Sequence, residues 1–164
     1  MASHPDPAAV LDPTAPATRA RAVGATGGGH PLARELALAG AGALLAGVLG
    51  YLGTGLHPVA ALAWLIPLPV LAVAARVRCS LALGAAAVGW IAAQTNLWSY
   101  FAGPLEMPPP VLVGVLAVYP LLAVAGTALF RALLARGRPV LAALAYPAVW
   151  AAGEYAVSVP LPDP

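Results

Sequence analysis

Lysine is absent from this chain, and all eight of its basic residues are arginine. That removes every mechanism built on a lysine amine, from Schiff-base chemistry to a phosphate-binding loop lysine. A single cysteine, Cys79, excludes an intramolecular disulfide and any cysteine-based metal cluster. Charge of either sign is scarce, at 9% of residues against the roughly 25% of a soluble domain. So few charges cannot solvate the surface of a 164-residue globule. Missing too are a Walker-type glycine loop, a Gly-x-Ser-x-Gly elbow, Cys/His metal spacing and paired carboxylates within apolar segments. Neither a catalytic set, nor a metal site, nor a cofactor is expected on these residues. The net charge of +2 does not indicate nucleic acid, because the arginines sit in short clusters rather than on one basic patch.

What is abundant is apolar sequence, 61% of the chain, arranged in long blocks without polar alternation. A lipid bilayer is the solvent that accepts such a pattern. Residues 1–30 stand apart, being rich in Ala, Pro, Thr and Gly and carrying the run Gly27-Gly28-Gly29. They read as a disordered cytoplasmic tail that buries too little to offset its ordering entropy. Residues 31–164 read as a transmembrane helical domain with spans near 36–53, 58–75, 81–102, 111–130 and 139–159. Each approaches the roughly 20 residues that cross a hydrocarbon core. The first is longer than the roughly 7–15 residues of a signal-peptide core, so removal as a leader is not expected. The expected fold is all-α, a polytopic membrane helical bundle of about five transmembrane helices.

Arginine placement orients it. Arg19, Arg21 and Arg34 precede the first span, Arg76 and Arg78 follow the second, and Arg131, Arg136 and Arg138 follow the fourth. With five spans all of them fall on one side, while Glu106 and Asp163 fall on the other. The positive-inside rule then places the N-terminus in the cytoplasm and the C-terminus outside a plasma or bacterial inner membrane. Tyr51, Trp98, Tyr100, Phe101 and Tyr155 gather at the predicted outer ends, where amphipathic rings favour the headgroup level. Gly42, Ala46 and Gly50 form a small-residue stripe on the first span, and Ala85, Gly89 and Ala93 form another on the third. Such faces let two backbones approach closely, so these two spans are expected to pack. Pro67, Pro69, Pro120 and Pro147 should kink or unwind their spans, with the second broken near Pro67 and Pro69. His57, beside Pro58, is read as a turn residue.

Five residues are candidates for function. Glu154 is the one ionisable residue inside a predicted span, and a charge there costs at least roughly 2.5–3.5 kcal/mol at mid-bilayer. It shares a helix face with Tyr146 and Trp150, at four-residue spacing. On the third span Trp90, Gln94 and Trp98 share a face, with Asn96 nearby. Amides in lipid must find partners, so Gln94 and Asn96 are expected to face other helices. Gln94, Asn96, Trp98, Trp150 and Glu154 are therefore assigned lipid-facing or bundle-organising roles. The plain alternative is interhelical hydrogen bonding plus an interfacial aromatic belt.

Four segments in order carry a family resemblance. They are His57-Pro58 followed by Leu62-Ala63-Trp64 and Pro67-Leu68; Asn96-Leu97-Trp98; the proline-rich stretch 103–110; and Tyr146-Pro147-Ala148-Val149-Trp150 with Glu154 beyond. From Tyr51 to Tyr155, about two-thirds of the chain, this resembles the N-terminal membrane portion of bacterial apolipoprotein N-acyltransferases. The resemblance implies a phospholipid acyl donor and a lipoprotein acceptor as partners. The family's Glu-Lys-Cys catalytic set lies in an extracytoplasmic nitrilase-like domain, and none of it maps here, since lysine is absent. The family's Arg and Gly-Phe-Pro-Trp-like continuation is also missing after Glu154. The expectation is a membrane portion lacking the catalytic domain, which a downstream domain or partner chain would supply. Pro160, Pro162 and Pro164 make an odd exit for a span, which reads either as a frameshift scar or as the edge of a fragment, and the residues do not decide whether Pro164 is a native end. Two other classes fit the composition. A small transporter or substrate-binding subunit would lose uptake on Glu154→Gln. A non-catalytic membrane anchor would copurify with a stoichiometric partner.

Overall fold

The computed structural model describes residues 30–54 and 58–159, apart from the side chain of Ser99. Residues 1–29 of the expected disordered tail, His57 and the three terminal prolines lie outside these residues. Every described element is helical: α1 (Pro31–Gly53), α2 (Ala60–Ala63), α3 (Pro67–Ala74), α4 (Cys79–Ala93), α5 (Thr95–Ala102), α6 (Pro109–Ala135) and α7 (Pro139–Ser158). Four of them, α1, α3, α6 and α7, open on proline in the first turn. There the missing N–H costs nothing and the fixed φ already suits the helix.

Three helices, α1, α6 and α7, are long and apolar enough to cross a membrane. The other two expected spans are not single helices. The second breaks into α2 and α3 through a turn at Trp64–Ile66. Pro67 and Pro69 leave two carbonyls without i+4 donors. One of them, Leu65 O, accepts instead from Leu68 N–H at 3.1 Å, and a second tight bond in this stretch runs from Leu65 N–H to Leu62 O at 2.9 Å. The third, expected unbroken over 81–102, starts at Cys79 and is interrupted at Gln94, where α4 ends and α5 begins. Pro120 and Pro147, in contrast, stay within continuous helices. The fourth block reaches Ala135 rather than 130, which moves Arg131 out of the expected loop and into α6. The first begins at Pro31, five residues before the expected 36.

The bundle is ordered by its contacts: α1 packs on α3 and α4, α4 on α6, and α6 on α7. Gly42, Ala46 and Gly50 are all buried, as are Ala85, Gly89 and Ala93; Ala46 and Gly50 meet the second stripe between α1 and α4, while Gly42 lies against Val73 and Pro69 of α3. A Cβ at Gly89 would lie 3.1 Å from the Ala43 carbonyl, and one at Gly50 would collide with Ala93. The buried apolar set is mostly alanine, whereas large side chains point outward, with Leu44 71%, Val140 73% and Trp64 84% exposed. A water-soluble fold inverts that distribution. Apolar helices with this outward face are compatible with a membrane location.

Arginine ties one end together. Arg78 binds the Glu35 carboxylate through its side chain at 2.9 Å and its backbone N–H at 3.1 Å, joining the start of α1 to the α3–α4 turn. Arg131 reaches from α6 to the carbonyls of Ala74 and Val77 at the end of α3, where the helix dipole favours a cation. The same end of the bundle holds the α6–α7 turn. Gly137 closes α6 there with φ +68°, and Arg138 N–H and Gly137 N–H bond back to Leu133 O and Leu134 O at 3.1 and 3.0 Å. This is the glycine-dependent Schellman ending.

Candidate functional site

Gln94 explains how α6 keeps its course through Pro120. Proline has no N–H, so the carbonyl four residues earlier, Leu116 O, loses its donor. The buried Gln94 side chain supplies one, its Nε2 donating to Leu116 O at 2.9 Å. Asn96 does similar work for α1. Its Nδ2 donates to Tyr51 O and Thr54 O, both at 2.8 Å, covering carbonyls at the end of that helix. Its Oδ1 is buried without a hydrogen-bond partner among the described residues, as is the hydroxyl of Thr127. Both amides therefore face other helices.

Four rings from three helices form the centre of the core. Trp90 Nε1 donates to the Tyr146 hydroxyl at 2.9 Å. The Trp90 and Trp150 rings stack with centroids 4.6 Å apart, Tyr119 lies 5.7 Å from Trp150, and Tyr146 lies 6.1 Å from it. Gly126 makes room for this cluster, since a Cβ there would sit 2.9 Å from the Tyr146 ring. Trp150 is thus half-buried and packs against the core.

Two openings flank α6 on opposite faces. On one side a groove of about 770 Å³ runs between α4–α5 and α6, lined by Ile91, Gln94, Thr95, Trp98, Leu116 and Leu121, among others. Its lining is almost wholly apolar. On the other side a pocket of about 90 Å³ between α6 and α7 is lined by Val115, Val118, Tyr119, Leu122, Gly153, Glu154 and Val157. Gly153 brings the helices together at its base, because a Cβ there would run into Leu122. Gln94 and Trp98 therefore share the groove, Glu154 stands apart in the pocket, and Asn96 and Trp150 line neither.

Family models, curated proteins and solved structures were compared, and none matches this chain. The site must be read from its own chemistry. Among the described residues no cluster of His, Cys, Asp or Glu could hold a metal ion. Among the same residues no hydrogen bond joins a nucleophilic side chain to a base. What the arrangement offers is one large apolar groove and one small pocket with a carboxylate.

Tyr119 was not singled out in the sequence, and Arg131 figured there only as a loop charge. For Tyr119 there was no signal, since a tyrosine in an apolar run has no distinguishing spacing. For the Gln94–Leu116 bond there was one: Pro120 predicts an orphan carbonyl at position 116, which a buried amide elsewhere would have to meet.

Proposed function

We propose that this chain is the membrane-embedded, lipid-admitting portion of an apolipoprotein N-acyltransferase-like protein. It crosses the membrane five times, two of the passes being made by the broken pairs α2–α3 and α4–α5, with its N-terminus in the cytoplasm. The observation that carries the reading is the lateral apolar groove beside α6. Its volume of about 770 Å³ falls in the range of roughly 300–1,000 Å³ typical of sites for apolar small molecules. Gln94, Thr95 and Trp98 place its few polar atoms toward the end away from the arginines. A phospholipid acyl chain would enter the groove sideways from the bilayer, with its ester near that polar end. The Glu-Lys-Cys chemistry of the family has no counterpart on these residues, so acyl transfer requires a catalytic domain acting with them.

Two experiments bear on this. In the first, residues 31–159 replace the membrane portion of an apolipoprotein N-acyltransferase, and lipoprotein N-terminal peptides are weighed by mass spectrometry. The chimera is expected to N-acylate, and Trp98→Ala with Gln94→Leu to lower the acylated fraction. A chimera that inserts correctly yet leaves lipoproteins unacylated counts against the reading. The second uses Cys79, which is exposed near the arginine-rich end. A membrane-impermeant maleimide should label it in inverted vesicles and not in intact cells, and the reverse pattern would overturn the orientation.

A further inference from the structure

Helix α7 packs against α6 and meets α4 through the rings of Tyr146 and Trp150. Its other side is uncovered, with Leu144, Ala148, Ala151 and Tyr155 exposed along one face. Beside that row, one turn from the end of α7, Glu154 is exposed and lines the small pocket on the α6–α7 seam. Among the described residues the one salt bridge joins Glu35 and Arg78 at the opposite end. No arginine or lysine occurs between residues 79 and 130 or beyond 138. Neither the helices around Glu154 nor a parallel second copy beside them therefore carries one at its level. A carboxylate at this depth is costly without a partner, so the matching cation belongs to another molecule.

The pocket selects which cation. Tyr119 forms one wall, steadied by Trp150 with ring centroids 5.7 Å apart. A guanidinium answers both groups, because its planar fork donates two N–H bonds to a carboxylate while its face lies on a ring. It is also less strongly hydrated than an ammonium, so it enters an apolar pocket more readily. The volume of about 90 Å³, about three times a water molecule's share of the liquid, admits that flat group. The arginine stem would run out over Val115, Val118 and Val157. In lipid such a residue arrives on a helix, which satisfies its own backbone, and Ala148 and Ala151 leave room for one to approach α7. We propose that this end of the α6–α7 seam docks a membrane-spanning helix of a separate protein, which sets an arginine between Glu154 and Tyr119.

The test joins one half of a split cytoplasmic reporter to the N-terminus of the full chain. The other half goes to a leucine–alanine model span that carries a single arginine. Moving that arginine along the span should give a signal that peaks at the level of Glu154, about tenfold above a span without arginine. Glu154→Gln should abolish the peak, Tyr119→Leu should reduce it and Tyr119→Phe should keep it, at equal membrane levels of each variant. Glu106→Gln, outside the pocket, should leave it intact. Glu154→Arg should instead bind a span bearing glutamate at that level, which a misfolded variant would not do. A signal indifferent to arginine position, an undiminished peak in Glu154→Gln, or failure of the charge exchange overturns the assignment. Self-association of the chain that the arginine span does not displace gives the face to a second copy and overturns it too. The inference rests on the proposed orientation, which labelling of Cys79 reads separately. Expected labelling with no peak removes the docking site alone, and reversed labelling removes the orientation on which it stands.

Discussion

Between α1 and α4 the contact is made by what is missing from side chains, Gly47, Gly50 and Gly89 against alanines, whereas between α4, α6 and α7 it is made by rings and one amide. The contrast is what a lipid solvent would ask for. Lipid gives helices no hydrophobic reason to associate, so they pair either through close backbone approach or through polar and aromatic contacts. This bundle uses both devices. The first seam should fail when atoms are added and tolerate none; the second should fail when atoms are removed.

The sharpest way to break the first seam is Gly50→Leu, whose side chain would enter Ala93. Overpacking there should cost about 3 kcal/mol, read as a shift in unfolding midpoint in mixed micelles. Gly40→Leu on the same helix, where a Cβ meets nothing within 4 Å, should change the midpoint little. Equal effects at both positions would mean that the α1–α4 approach is not what holds α1.

The second seam should respond less to any one change, because its contacts are shared. Tyr146→Phe removes the acceptor of Trp90 Nε1 and should cost about 1–2 kcal/mol in the same assay. Gln94→Leu is smaller, about 1 kcal/mol, and is best measured as a cycle with Pro120→Ala. Alanine at 120 gives Leu116 O an N–H of its own helix, so the glutamine should then matter less. If the two changes simply add, Gln94 is not serving that carbonyl.

How much of this was readable from residue order differs between the seams. The small-residue stripes were visible because their spacing is helical and their partners share it. The break before Pro67 was visible because proline states its own requirement, and the collection of arginines at one end follows from counting them between apolar blocks. The number of unbroken helices was not, since nothing near Gln94 marks a turn: it has neither glycine nor proline beside it. The second seam was largely hidden. Asn96 caps a helix whose end lies more than forty residues earlier, and Gln94 meets a carbonyl twenty-two residues later. Nor could spacing reveal that Glu154 and the Gln94–Trp98 pair occupy opposite faces of α6. That depends on which side of α6 each neighbour takes. Tyr119 became notable only once Glu154 and Trp150 were found around it.

The outward position of the large side chains also separates two kinds of information in the chain. Which helices touch is decided by Gly50, Ala93, Gly126, Tyr146 and their neighbours, all facing inward. Which medium the bundle lives in is decided by residues such as Leu44, Trp64, Val140 and Leu144, which face away from every neighbour. Exchanging that outer set for glutamate and arginine leaves the inner set untouched. The backbone arrangement is therefore a template for a water-soluble counterpart, made by repainting the exterior alone.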